Sequence, residues 1–483
     1  MKKPIVFITV CILILNALPL FAQQKQNILY IMTDQQSYNM MSCMGNPWLK
    51  TPNMDKIASW GYRFEKAYCS NPVCTPSRFS LFTGHYASEI GAKENTSMFD
   101  QKKWNTIVPA DALGLLLRKN GYETYYSGKV HLYGSKDAAA YGFTINNVDP
   151  YDGPAIYAEQ KLPELAKQGN PFAMFLSFLN PHDICYKAGA DKRYPDKLTP
   201  ENARETGRLL QVQKNMDPAE YRRQVPPRAS NLEPIEGEQF DMVSMDIGSR
   251  KWDSTQWDLN NWMYLRLTES VDAQIGRVII ALENAHLREN TLIVFTTDHG
   301  DMQGAHGLTL KNVMYEECQR IPFIFAGKGI RENFEDKNTL VCNGTDFIPT
   351  LCDLIGVKWN RKLPGVSLKP LLTGKKTSLK RKYIFTESYN SFQINDGRYK
   401  YTVYELPGHP ELLTDLTLNP GETKNYVNDP SYASIKETLK ANLMSQLDKR
   451  GLLPLSEHRK IEELRELEKE YNKTHKVEKD AAE

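Results

Sequence analysis

The chain carries eight cysteines and nine histidines, yet it has no Cys-x-x-Cys pair and no cysteine–histidine array. That absence removes structural zinc as an organising element. It has no bulk charge either, since 60 Lys and Arg against 58 Asp and Glu leave a formal net charge of +2. A protein that grips nucleic acid through bulk charge needs a basic balance, so that partner is set aside. No internal repeat or low-complexity tract is present, so nothing points to a repeat-built architecture. The N-terminus reads as a targeting segment: Lys2 and Lys3 precede an apolar stretch from Pro4 to Phe21, and Ala22 before Gln23 has the small-residue character of a cleavage position. Residues 1–22 are therefore expected to be a signal peptide removed by signal peptidase. The mature chain is expected to be periplasmic or secreted, with no stable membrane span; an uncleaved anchor is the rival reading. Cys11 lies in no convincing lipoprotein box, and spacing assigns no disulfide among Cys43, Cys69, Cys185, Cys318, Cys342 and Cys352.

What is present is a chain of 483 residues, 41% hydrophobic, long enough to bury a sizeable core. Short apolar runs alternate with helical patterns. Strands are expected over Gln26–Met32, Tyr122–Ser127, Phe172–Leu179 and Thr291–Thr297, with helices over Ala112–Lys119 and Tyr264–Leu287. Near-continuous apolar strands alternating with helices imply an α/β fold, a largely parallel sheet covered on both faces. Polar residues recur where these strands end, at Thr33-Asp34, Asn180-Pro181-His182 and Asp298-His299. Open α/β sheets place their ligands there. The stretch from Lys187 to Trp257 departs from the pattern, with Tyr221-Arg222-Arg223 and Pro226-Pro227-Arg228. It reads as an insertion near the site that carries specificity. The tail 458–483 reads as a solvated, charge-laced helix.

One segment dominates the functional reading: Pro72-Val73-Cys74-Thr75-Pro76-Ser77-Arg78-Phe79-Ser80-Leu81-Phe82-Thr83-Gly84. Pro76 suits the first turn of a helix and Gly84 its stop. A nucleophile at a helix N-terminus faces unpaired N–H groups and the positive end of the dipole, which favours anions. Arg78 adds a permanently charged, planar fork of donors suited to oxyanions. Cys-Thr-Pro-Ser-Arg resembles the signature of type I, formylglycine-dependent sulfatases of the alkaline-phosphatase superfamily. Gly128-Lys129-Val130-His131, Asn180-Pro181-His182-Asp183 and the run Asp298 to Gly307 followed by Lys311 resemble further motifs of that family, in order along the chain.

The resemblance implies a large mostly parallel sheet flanked by helices over residues 23–375, interrupted by the insertion at about 187–257. A smaller C-terminal α+β subdomain with an antiparallel sheet would follow over 376–457. It implies that a maturation enzyme converts Cys74 to formylglycine, the nucleophile. It also implies that Asp34, Gln35, Asp298 and His299, with position 74, hold one divalent cation. Gln35 and His299 stand where many members have Asp and Asn. Calcium is the first choice for oxygen donors and magnesium the second, while His299 keeps manganese and zinc open or donates to sulfate instead. Arg78, Lys129 and Lys311 are expected to face sulfate oxygens. His182 is expected to protonate the leaving alcohol and His131 to take a proton from position 74. His306 either orients its loop or touches substrate. The substrate class implied is sulfated carbohydrate, glycosaminoglycan fragments first. The Asp298-His299 pair resembles uronate 2-sulfatases, though choline-type sulfatases share it. The alternatives are an aryl-type sulfatase, a phosphonate or phosphate diester hydrolase on the same scaffold, and a sulfated-glycan-binding protein whose cysteine stays unmodified.

Overall fold

A computed structural model describes residues 25–95, 99–134, 138–146, 149–190, 204–233, 249, 251–358 and 362–456. The expected signal peptide, the charged tail and parts of the insertion lie outside these. Twelve strands are present among the described residues. They are β1 (Asn27–Asp34), β2 (Gly61–Tyr68), β3 (Glu123–Gly128), β4 (Thr144–Asn146), β5 (Phe172–Pro181), β6 (Thr291–Thr297), β7 (Phe323–Ala326), β8 (Phe334–Cys342), β9 (Ile384–Ser388), β10 (Ser391–Asn395), β11 (Tyr399–Tyr404) and β12 (Glu411–Asp415). The first eight form one sheet in the order β4-β3-β5-β1-β6-β7-β2-β8. All its pairings are parallel except the two made by β7. The last four form a separate antiparallel sheet. The expected α/β architecture with a smaller antiparallel sheet is the one observed.

β1 is the axis of the large sheet. Every residue of Asn-Ile-Leu-Tyr-Ile-Met-Thr-Asp is buried, because β5 and β6 flank it and helices cover both faces. Alternate side chains enter opposite cores, as the two-residue period of a strand requires. Ile28, Tyr30 and Met32 join Phe79, Phe82, Phe175 and Phe347 on one side, while Leu29 and Ile31 join Met54, Ile57, Val271 and Ile275 on the other. The long helix Ser254–Asn284 supplies Val271 and Ile275 and starts at a capping box made by Asp253 and Gln256. The smaller sheet is backed by the helix Ala433–Asp448, whose Leu439, Leu443 and Leu447 recur at four-residue spacing on its buried face.

Parallel neighbours bring their C-terminal ends to one edge. Asp34 pairs in register with Pro181 of β5, and Thr33 with Thr297 of β6. Gly128 at the end of β3 pairs with Ser177. A Cβ on Gly128 would sit 2.0 Å from the Ser177 carbonyl oxygen, and its φ is +97°, so this close strand approach requires glycine. Thus Asp34, Lys129, His182 and Asp298 emerge on the same edge.

The helix Cys74–Thr83 lies across that edge and ends at Gly84, in the left-handed region at φ +74°. His85 anchors its far end, with Nδ1 2.8 Å from Glu89 and Nε2 3.0 Å from Asp111. Burial opposes its charge, but the two carboxylates win and raise the imidazole to about 9. The folded value lies above the ordinary one near 6.5. The stabilisation is therefore complete below about pH 6.5 and is lost as pH rises through about 9. We expect wild-type unfolding free energy to fall by on the order of 2–3 kcal/mol across that window in urea titrations. His85→Ala should flatten the slope, and parallel pH profiles would exclude the bridge as its source.

Candidate active site

The Cys74 helix starts with Val73 in extended geometry, and its third residue is Pro76. Cys74 sits on the first turn and is fully buried. Around its Sγ stand His299 Nε2 at 3.2 Å, Lys311 Nζ at 3.0 Å, Lys129 Nζ at 3.7 Å and Asp34 Oδ1 at 3.8 Å. Burial alone would push the thiol up; Lys129, Lys311 and His299 overcome it and hold Cys74 well below its ordinary value. The pocket therefore favours an anionic atom at position 74.

Arg78, one helical turn on, is fully buried. Its Nε donates to Asp298 Oδ2 at 2.8 Å and one terminal nitrogen to Asp34 Oδ2 at 2.7 Å. The other terminal nitrogen donates to the Lys129 carbonyl at 2.9 Å and to Ser177 Oγ at 2.8 Å. Four of five N–H donors are thus committed. This corrects the expectation that Arg78 faces sulfate oxygens: it clamps the two aspartates instead. Lys129 shares Asp34, with Nζ 2.6 Å from Oδ2. Burial and Cys74 would raise the Asp34 carboxyl, but Lys129, His182 and Arg78 hold it below the usual carboxylate range. Asp298 is raised by burial and by Asp34 beside it.

The donor set suits a divalent cation. One ligand atom each from Asp34, Cys74, Asp298 and His299 can be chosen so that all lie within 4.8 Å of one another. His299 Nδ1 lies 2.9 Å from the Gly300 carbonyl, which can only accept, so Nδ1 carries a proton and Nε2 is the ring nitrogen that faces Cys74. Gln35 takes a left-handed backbone at φ +65°. Its amide oxygen accepts from Lys311 Nζ at 2.8 Å and from Cys185 Sγ at 3.0 Å, and its amide nitrogen donates to Asp301 at 2.6 Å. Gln35 therefore ties the two acidic loops together.

The remaining predicted residues separate. His131 is exposed at the rim. His182 is half-buried, and its Nδ1 has no hydrogen-bond partner among the described residues. Burial, then Lys129 and Lys311, push His182 down to about 4. His306 is fully buried with its ring stacked on Tyr315 at 3.9 Å, the environment of a loop anchor. The Tyr221–Arg228 motifs belong to the expected insertion. They line an open groove of about 770 Å³ with Trp48, Thr255 and Asp258, and no residue predicted for the site lines it. Sequence reasoning missed Ser177, Cys185, Tyr264 and Asp301. Only Asp301, inside the Asp298–Gly307 run, lay within a recognisable motif.

A buried cysteine held toward its anion, cationic side chains and paired carboxylates at the strand ends of an α/β sheet suit a hydrolase for anionic esters. The sulfatase family model matches residues 26–357, and an N-sulphoglucosamine sulphohydrolase C-terminal model matches residues 304–449. A Delta 4,5-hexuronate-2-O-sulfatase from Bacteroides thetaiotaomicron is 30% identical, covering 86% of this chain and 87% of that protein. The solved structure of a 2-O GAG sulfatase is 25% identical with a TM-score of 0.73, covering 88% and 93%. The phosphonate monoester hydrolase of Agrobacterium radiobacter shares the fold at 21% identity and a TM-score of 0.67, covering 88% and 96%. The chain belongs to the sulfatase family and is a sulfuric ester hydrolase.

Arg78→Ala would leave Asp298 without its guanidinium partner and Asp34 with Lys129 alone. Losing one partner of a buried ion pair costs about 3–5 kcal/mol. Chemical denaturation should show a loss of that size for Arg78→Ala and a smaller one for Lys129→Ala, whose ammonium is partly solvated. Equal losses would contradict the clamp.

Proposed function

We propose that this chain is an exported sulfatase that removes sulfate from carbohydrate esters, glycosaminoglycan fragments first, and among these the 2-O-sulfate of a uronate. The observation that carries the reading is the convergence of Lys129, Lys311, His299 and Asp34 on Cys74. The hexuronate-2-O-sulfatase and 2-O GAG sulfatase similarities support the sugar class, as does the Asp298-His299 pair.

On this reading Cys74 is converted to formylglycine, which supplies an oxygen nucleophile in place of the sulfur. A calcium ion held by Asp34, Asp298, His299 and position 74 would neutralise developing charge, with magnesium the second choice. Lys129 and Lys311 flank position 74 and counter the charge on the sulfate oxygens, the preorganised electrostatics that such transfers depend on. Arg78 keeps Asp34 and Asp298 ionised and aligned. His182 delivers a proton to the leaving alcohol oxygen. Burial first and then the two lysines hold it neutral in the free site, and an anionic ester between the lysines offsets their charge and raises its basicity. His131 at the rim takes the proton released at position 74. The balance is one sulfate monoester anion and one water giving an alcohol, a sulfate dianion and a proton released to solvent.

Mass spectrometry of the Cys74 peptide from the native host should show the aldehyde; an unmodified thiol would sink the catalytic reading. Sulfate release from defined oligosaccharides should favour uronate 2-O-sulfate over 6-O-sulfate and over choline sulfate. Paired aryl sulfate and aryl phosphonate esters should separate a sulfatase from a phosphonate hydrolase by steady-state rate. His182→Ala should slow sugar sulfates about 10²–10⁴-fold while sparing activated aryl sulfates, whose leaving oxygen needs no proton. An equal loss on both would remove His182 as the acid.

A further inference from the structure

Gln35 is a non-glycine residue in the left-handed region, at φ +65°, placed between Asp34 and the loop that carries Asp298 and His299. Such a conformation persists only where surrounding contacts over-determine it. Two hydroxyl groups supply those contacts. Tyr264 Oη, from the interior of the long helix Ser254–Asn284, donates to the Gln35 carbonyl at 2.5 Å and accepts from the Ser37 backbone N–H at 3.0 Å. Ser37 Oγ accepts from the Asp301 backbone N–H at 2.9 Å and from Gln303 Nε2 at 2.8 Å, and lies 3.0 Å from both the Asp301 and Glu317 carbonyls. Gly300 makes this possible, since a Cβ there would stand 2.1 Å from the Glu317 carbonyl oxygen and 3.1 Å from Ser37 Oγ. Both Tyr264 and Ser37 are fully buried, so water cannot replace either hydroxyl without rearrangement.

We propose that Tyr264 and Ser37 form a hydroxyl clasp that locks the Gln35 peptide and thereby sets the spacing between Asp34 and the Asp298–His299 pair. They are positioning residues, since neither hydrogen-bonds Cys74 or the carboxylates of Asp34 and Asp298. The chain of contact is short. The Gln35 N–H fixes Asp298 Oδ1 at 3.1 Å, and the Gln35 amide fixes Lys311 and Asp301. Releasing the Gln35 carbonyl lets this peptide relax from its left-handed geometry, which displaces the donors on both loops together. The inference rests on the proposed cation at Asp34, Asp298 and His299 for one of its readouts only.

The test compares Tyr264→Phe, Ser37→Ala and the double variant with the wild type. The readouts are the calcium concentration giving half the maximal thermal shift of chelator-treated protein, and kcat and KM on an aryl sulfate. Loss of a group supporting metal ligands typically lowers metal affinity about 10–100-fold. Each single variant is expected to raise the half-saturating calcium concentration by that factor. It should lower kcat comparably with KM within about twofold, and the double variant should be no worse than the worse single one, as for residues acting as a unit. Calcium dependence and kcat both within about twofold of wild type would overturn the clasp, as would full additivity. A wild type that shows no calcium shift would sink the cation reading, while the kcat arm would still decide the clasp. Ser37→Ala leaves the tyrosine ring in place, so it remains informative if Tyr264→Phe packs poorly.

Discussion

Two carboxylates, Asp34 and Asp298, stand side by side with no exposure to solvent, and the guanidinium of Arg78 bridges them at 2.7 and 2.8 Å. Without that bridge the strand-end edge could not hold two ionised aspartates, because desolvation and mutual repulsion would neutralise at least one. The bridge also joins three elements: β1 brings Asp34, the end of β6 brings Asp298, and the Cys74 helix brings Arg78. Since Cys74 and Arg78 share one helix four residues apart, fixing the guanidinium fixes the nucleophile position over the carboxylates.

Around this clamp the charges are arranged by distance. Lys129 lies nearer to Asp34 than to Cys74, while Lys311 lies against Cys74 and Gln35. One lysine therefore balances a carboxylate and the other favours an anion at position 74. His299, with Nδ1 tied to its own loop, presents Nε2 on the third side. The cations of this pocket are already placed, so an anion that enters it meets preset charges with little reorganisation. The C-terminal sheet contributes from outside: Ser388 Oγ holds the Asn312 side chain at 2.7 Å, next to Lys311.

The strands around β1 and the residues at their ends were readable in the chain because buried parallel strands are near-continuous apolar runs that stop at polar residues. Cys74, Lys129, His182, Asp298, His299 and Lys311 could be proposed because their motifs resemble those of a known family, three of them at or just past strand ends. Arg78 was expected to face sulfate and contacts two carboxylates here, because a guanidinium next to an anion site suits sulfate and carboxylate equally. Tyr264 left no trace, being one more aromatic in an apolar helical stripe. The helix Pro218–Gln224 places Tyr221 and Arg222 on a groove that no predicted site residue lines.

By itself, then, the order of residues determined the class of chemistry and the sheet that carries it, since both rest on local patterns: apolar runs, a helix start, a cysteine before Pro-Ser-Arg. Tertiary structure decided what each charge faces. Asp34 and Asp298 are 264 residues apart, and Arg78 reaches both only after β1 and β6 pair in register. Long-range pairing of this kind is set by packing and desolvation, which no local pattern records.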